Sequence, residues 1–204
     1  MLVMCRSVGA LVLAAAIVPM ILLLGRRTQI TVAMMIAVFV MLYPAIRGGG
    51  VITAPSIVSV VEKVLPGKVG SIGLRVENED RLLERAAERP VFGWGPWGRA
   101  RVYDKETGKD ISVTDGAWTI IIGEYGWVGY VGTFGLLALP ILSLFRLRGD
   151  PGLTLETSAL SLILALNLLD LLPNSGMTLI TWLVAGALMG RAEQIADERS
   201  TGLS

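Results

Sequence analysis

Two carboxylates and three arginines carry the chemistry this chain can do. Asp115 and Glu124 stand nine residues apart in VTDGAWTIIIGEYGWVGYVG, and Arg75, Arg81 and Arg89 precede them in RVENEDRLLERAAERPVFGWGPWG. A carboxylate can accept a proton in a transition state, and a guanidinium grips phosphate through two parallel hydrogen bonds. Most of these residues lie in a polar insert, residues 47–116, which holds eleven of the 18 basic and ten of the 17 acidic side chains. Apolar segments long enough for a bilayer flank the insert. Such groups beside a membrane point to an anionic, lipid-linked substrate.

Other chemistries are removed by composition. The chain has no histidine and a single cysteine, Cys5, which excludes His-ligated metal sites, a Ser-His or Cys-His relay, and an intrachain disulfide. No metal or cofactor is expected, because arginines can supply the positive charge. A formal net charge of +1 gives no indication of a nucleic-acid partner. Acid–base work falls to Asp, Glu, Lys or Tyr.

The spacing predicts a helix from Leu74 to Arg89, stopped by Pro90. At 100° per residue, Arg75, Asn78, Arg81, Arg85 and Arg89 share about a third of its circumference. Two readings of this face stand side by side. It is a grip for phosphate, or it is a solvated, salt-bridged helix in which Glu77 pairs with Arg81, Arg81 with Glu84, and Arg85 with Glu88. The turn Phe92-Gly93-Trp94-Gly95-Pro96-Trp97-Gly98 follows. Its glycines permit positive φ or close backbone approach, and its tryptophans suit a bilayer interface, favoured for Trp97, or a platform for a sugar ring. Residues 99–112 read as an exposed excursion with a turn at Thr107-Gly108.

Asp115 also has two readings. It is an acceptor-activating base, which needs partial desolvation because an aspartate with its ordinary pKa of about 3.9 is a weak base at neutral pH. Equally, it caps a helix beginning near Ala117. Glu124, inside an apolar helix, is expected to face protein or a wet cavity, paired with an arginine or acting as base. Asn167, Asp170 and Asn174 fall on one side of a later apolar segment, where they line a cavity or hold helices together.

The elements that position these residues are apolar runs. The chain is 53% hydrophobic, with a mean hydropathy of +0.64. Runs at 8–25 and 28–46 each approach the ~20 residues of a spanning helix. Three more occur at about 127–145, 157–172 and 177–190, the last two joined through Pro173-Asn174-Ser175-Gly176 as a tight hairpin. A signal peptide starting at Arg6 is disfavoured by Arg26-Arg27 and the immediate second run. Arg26, Arg27, Arg146, Arg148, Arg191 and Arg199 fall on one side if the first helix starts outside. The positive-inside rule then puts the insert outside and the C-terminal residues 191–204 in the cytoplasm. An outside start without a cleavable signal leads us to expect the C-terminal part of a longer membrane protein.

Asp115-Gly116, nine residues, then Gly126-Trp-Val-Gly129 resembles the motif of the O-antigen ligase/polymerase family: a histidine, a small polar residue, nine residues, Gly-x-x-Gly. Arg75 followed by a helix and Pro90-Val-Phe-Gly93-Trp-Gly95 resembles the family's upstream pattern. Asn167-Leu-Leu-Asp170-Leu-Leu-Pro173-Asn174 resembles its exopolysaccharide branch. The similarity spans essentially the whole chain as that family's C-terminal half. It implies an all-α polytopic membrane helix bundle of about five spans in the bacterial inner membrane, with a partly helical periplasmic insert. It also implies a glycosyltransferase that moves a glycan from an undecaprenyl-pyrophosphate donor to a sugar or lipid acceptor, in O-antigen or exopolysaccharide polymerisation or ligation. Arg75, Arg81 and Arg89 then bind pyrophosphate, and Asp115 or Glu124 accepts the acceptor's proton. Asp115 stands where ligases carry histidine. Either it takes over that role, or this branch uses another mechanism, or the chain is an inactive fragment. A non-catalytic membrane subunit or exporter that binds anionic glycan lipids is the competing class.

Overall fold

The computed structural model describes residues 8–50, 55, 59, 62 and 69–201. Cys5, Arg6 and most of residues 51–68 at the start of the insert lie outside the described residues. The described residues form six helices and no strand: α1 (Val8–Leu23), α2 (Arg26–Gly48), α3 (Val69–Ala87), α4 (Ala117–Arg146), α5 (Leu155–Asp170) and α6 (Leu179–Ser200). The fold is all-α. Two helices, α2 with 23 residues and α4 with 30, are long and apolar enough to cross a membrane. At 1.5 Å per residue, α2 reaches about 35 Å, more than the ~30 Å of a hydrocarbon core.

Element limits differ from the sequence reading where local signals compete with the apolar pattern. The arginine helix ends at Ala87, so Arg89 lies in the turn after it rather than one turn on from Arg85. The last helix continues past the apolar run at 177–190 to Ser200, so residues 191–200 are helical. There the Gln194 amide donates to Glu198 across one turn, at 2.9 Å, as helix-favouring polar residues replace apolar ones. The segment 157–172 forms a helix only to Asp170. Asn174 therefore sits beyond it, off the stripe that Asn167 and Asp170 share.

The chain divides into two compact units. Unit 1 comprises residues 1–39, 136–170 and 178–204. Within it α5 packs against α1 and α6, around fully buried Leu162, Leu168 and Ile141. The Asn167 side-chain carbonyl accepts a hydrogen bond from the Thr181 hydroxyl at 2.8 Å, across the expected α5–α6 hairpin. The turn between α1 and α2 is closed by buried Gln29, whose amide donates to the carbonyls of Ile21 and Leu24 at 2.9 and 2.8 Å.

Unit 2 comprises residues 40–135 and 171–177. Its core holds Trp118, Tyr130 and Phe134, each fully buried. The Tyr130 hydroxyl donates to the Val40 carbonyl at 2.6 Å, and its ring stacks on Phe134 with centroids 4.6 Å apart. The helix α4 is broken at Gly126, whose φ of 65° and ψ of −164° lie in a region essentially restricted to glycine. A break in an apolar helix strands backbone groups that must find other partners. Here the turn after α3 supplies them. Trp94 and Gly95 donate N–H groups to the carbonyls of Gly123 and Glu124, both at 2.8 Å, while Trp127 and Val128 donate to the carbonyls of Pro90 and Val91 at 2.8 and 3.2 Å. The two glycine motifs are thus halves of one backbone splice. A Cβ on Gly93 would lie 2.5 Å from the Glu124 carbonyl carbon, and one on Gly126 2.3 Å from the Val91 oxygen.

The excursion at 99–112 is a short exposed hairpin with an isolated Tyr103–Asp110 bridge. It is closed by Asp104, which accepts hydrogen bonds from the Thr107 N–H and hydroxyl at 2.7 and 2.8 Å.

The splice predicts unequal responses to equal substitutions along α4. Gly126→Ala should lower stability by about 2 kcal/mol or more, from its disallowed backbone and the clash with Val91. Gly132→Ala, with open space around its Cβ position, should change stability by less than about 1 kcal/mol. Thermal unfolding of the two purified variants in detergent compares them, and equal melting temperatures would reject the splice.

Candidate functional site

Within unit 2 the end of α2, the face of α3 and the start of α4 bring together a set of charges. Arg47 closes α2, and its side chain is 3% exposed. It reaches α3, where Nη2 lies 2.6 Å from Asp80 Oδ1 and Nε lies 3.9 Å from Glu79 Oε2. A guanidinium this buried needs such partners, because an uncompensated charge out of water is costly. The Tyr43 ring, one turn earlier on α2, packs edge-on against Trp118 of α4 with centroids 5.1 Å apart.

Beside this buried cluster sits a second, more exposed pair. Arg75 Nε on α3 is 3.3 Å from Asp115 Oδ2, with side chains 54% and 35% exposed. Both residues were singled out in the sequence, and here they meet. The helix-capping reading of Asp115 is not borne out, because the first N–H of α4, that of Ala117, donates to the carbonyls of Leu171 and Asn174 instead. Gly116 permits that approach: a Cβ there would lie 2.2 Å from the Leu172 carbonyl oxygen.

The other expected site residues go elsewhere. Arg81 pairs with Glu77 at 2.8 Å and Arg85 with Glu88 at 2.7 Å on the exposed side of α3, two of the three helix pairs that the spacing allows. Arg85 and Arg89 lie over the Trp94 ring, 3.5 and 4.2 Å from its centroid. Trp94 is therefore a platform for two guanidiniums rather than for a free ligand face, and its indole N–H donates to the Arg85 carbonyl at 2.8 Å. Glu124 is half-buried just before the break in α4. Among the described residues it forms no ion pair within 4.0 Å, so the expected arginine partner is not made, although Arg101 is near enough to feel its charge. Asn167 and Asp170 belong to unit 1, where Asn167 is engaged by Thr181. Among the described residues no group of three carboxylates or thiols is placed to hold a metal ion.

Glu79 is the functional candidate that the sequence reading passed over. Burial pushes its carboxyl up from the ordinary 4.5 to about 7. Arg47 opposes that shift, the charges of Asp80 and Asp115 add to it, and the nearby Trp118 indole N–H works against it. That N–H is buried and, among the described residues, has no partner at ordinary hydrogen-bond distance and angle. The signal was present: Glu79 is three residues from Val76 and from Leu82 and seven from Ala86, all buried. An acid on the apolar stripe of an amphipathic helix must meet a cation or take up a proton.

The arrangement offers an exposed cation beside an ionisable carboxylate, backed by the half-buried Glu79, whose carboxyl is pushed up to about 7. Comparison with family models, characterised proteins and solved structures finds no match for this chain.

Because its folded-state pKa is raised, Glu79 binds its proton in the folded chain between pH 4.5 and about 7 while the unfolded chain releases it. Stability contributed by this group is full below pH 4.5, falls as pH rises through that window, and levels off above about 7. Asp104 acts in the opposite sense, held low by the Thr107 N–H and hydroxyl, so its effect lies below this window. Glu79→Gln should flatten the decline in unfolding temperature between pH 5 and 7, and a slope unchanged from the wild type would assign the titration to another group.

Proposed function

We propose that this chain acts in a membrane glycosyltransferase of the O-antigen ligase/polymerase type. Its substrate is a glycan on undecaprenyl pyrophosphate, and its acceptor is a second glycan or a lipid. The observation that carries this reading is the Arg75–Asp115 pair: a phosphate-binding side chain and a carboxylate base, far apart in sequence, meet at 3.3 Å while both remain open to solvent.

The setting supports the reading. Apolar side chains face outward along α2 (Met35, Leu42), α4 (Val131, Leu136) and α6 (Ile180, Leu183), as on a lipid-facing surface. A bundle of about five spans in the bacterial inner membrane accounts for them, with the arginine-rich connections in the cytoplasm and the insert in the periplasm. Phe92 and Trp97, 73% and 89% exposed, then seat the splice loop at the outer interface.

In the reaction, Arg75 exchanges Asp115 for the donor's pyrophosphate, which offers more negative charge and two oxygens for bidentate bonding. The exchange frees the Asp115 carboxylate to accept the proton of the acceptor hydroxyl. The acceptor oxygen forms a bond to the anomeric carbon as the bond from that carbon to the phosphate oxygen breaks. The electron pair leaves with lipid pyrophosphate, neutralised by Arg75. Glu79 in its protonated form reduces the negative charge that the pyrophosphate approaches. Glu124, half-buried and without an ion-pair partner among the described residues, is the second candidate base.

Arg75→Ala should reduce polymer formation by about 100-fold or more in a complementation assay at unchanged protein level. Asp115→Asn should produce a comparable loss while preserving shape. Polymer at wild-type yield in both variants would reject these roles. Purified protein given an undecaprenyl-pyrophosphate oligosaccharide separates the classes: turnover supports transfer, whereas binding without turnover supports a subunit or exporter.

A further inference from the structure

Unit 1 holds a second cluster of charge that this function does not use. Arg27 at the start of α2, Arg146 at the end of α4, Arg148 just after it and Arg199 in the last turn of α6 line a pocket of about 570 Å³, with Asp150 the one acid among its lining residues. The 147–151 turn also lines this pocket, and other arginines hold the adjoining chain in place. Arg26 donates to the carbonyls of Pro151 and Leu153 at 3.1 and 2.8 Å, and Arg191 donates to the Gly152 carbonyl at 2.8 Å. Asp150 is itself engaged, its Oδ1 accepting the Gly152 N–H at 2.9 Å.

The six arginines that the positive-inside argument treats as equivalent therefore divide. Arg26 and Arg191 brace backbone. Arg27, Arg146 and Arg199 form no ion pair within 4.0 Å among the described residues, where the six pairs that form all lie in unit 2. Arg148 engages its own turn, donating to the Phe145 carbonyl at 3.3 Å and lying over the Phe145 ring. Complementing a helix C-terminus explains one cation at the end of α4 and one at the end of α6. It does not explain four arginines from three helices and a turn lining one hollow with a single acid, where like charges gathered together repel.

We propose that this pocket is a binding site for a phosphate-bearing anion, separate from the Arg75–Asp115 site. Four planar forks suit the several oxygens of a phosphate mono- or diester. The ligand comes from one of two sources, the headgroup of an anionic phospholipid or a soluble phosphate compound. Basic pockets at the cytoplasmic ends of membrane helices take headgroups by this chemistry.

Two arms separate the sources. In the first, purified full-length chain in mixed micelles is offered phosphatidylglycerol, cardiolipin and phosphatidylcholine, and retained lipid is read by native mass spectrometry. In the second, inorganic phosphate and pyrophosphate are titrated in neutral detergent and the melting temperature is followed. Wild type should retain the anionic lipids over phosphatidylcholine, or gain stability from phosphate. The triple variant Arg27→Gln/Arg146→Gln/Arg199→Gln should lose that effect by roughly tenfold or more. Loss in the lipid arm alone assigns a headgroup, and loss in the phosphate arm alone assigns a soluble ligand. Wild type with neither effect overturns the site, whatever the variant does. An effect that survives in the triple variant also overturns it. If the triple variant elutes as aggregate, Arg27→Gln and Arg199→Gln singly carry the same comparison, with a partial loss expected in each.

Discussion

The backbone break at Gly126 is the constraint on which unit 2 depends. Once α4 departs from helical geometry at one glycine, carbonyls before it and N–H groups after it need partners, and the turn at 90–95 provides four hydrogen bonds to them. That turn is the direct continuation of α3. The Trp94 indole N–H holds the Arg85 carbonyl near the helix end, and the Trp94 ring packs against the guanidiniums of Arg85 and Arg89. The end of α3 is therefore fixed against α4 by backbone geometry, which places Arg75 opposite Asp115 and Glu79 beside Arg47. Only glycine fits at Gly93 and Gly126, so the motifs are read most economically as architecture, and the site is their consequence.

The two charged groups of unit 2 differ in how firmly they are held, and burial makes the difference. Arg47 is almost wholly enclosed and shared by two carboxylates, so withdrawing a partner would leave a buried charge, at a cost of about 3 kcal/mol or more. Arg75 and Asp115 are each a third or more exposed and touch through one nitrogen and one oxygen. Pairs of that kind contribute about 0–1 kcal/mol. Arg47 is thus a fixed joint between α2 and α3, while Arg75 is free to change partners.

Much of this was legible in the sequence, and what was missed has definite causes. The apolar runs gave the helices because hydrophobic length is a strong signal. Arg75, Asp115 and the glycine turns stood out because their residue types are unusual where they occur. The ends of α3 and α6 were displaced because the Arg89 turn and the charged residues after Gly190 follow local hydrogen bonding rather than hydropathy. Arg47 was read as the edge of the insert, though it belongs to the last turn of α2. Glu79 is hard to read from the sequence because the arginines dominate one face of α3, while its own neighbours Val76, Leu82 and Ala86 mark the buried face. A pairing between residues 47 and 79 on separate helices leaves no trace in local spacing.

The positions of the arginines also bear on how a lipid-linked anion would be handled. A guanidinium already held closely by carboxylates gains little from phosphate, because binding it would break ion pairs that already compensate the charge. By that criterion Arg47 is excluded, and Arg81 and Arg85 are poor candidates, each bonded within 3 Å to a neighbouring glutamate. Arg89 lies against the Trp94 ring, 4.2 Å from its centroid, where a cation–π contact already engages it. Arg75 remains, with its weak partner and its open side. The carboxylate that a phosphate would displace from it is the carboxylate that a transfer reaction needs as base. Substrate binding and base activation would then be one event, with an unoccupied site kept neutral by its own ion pair and an occupied site armed by losing it.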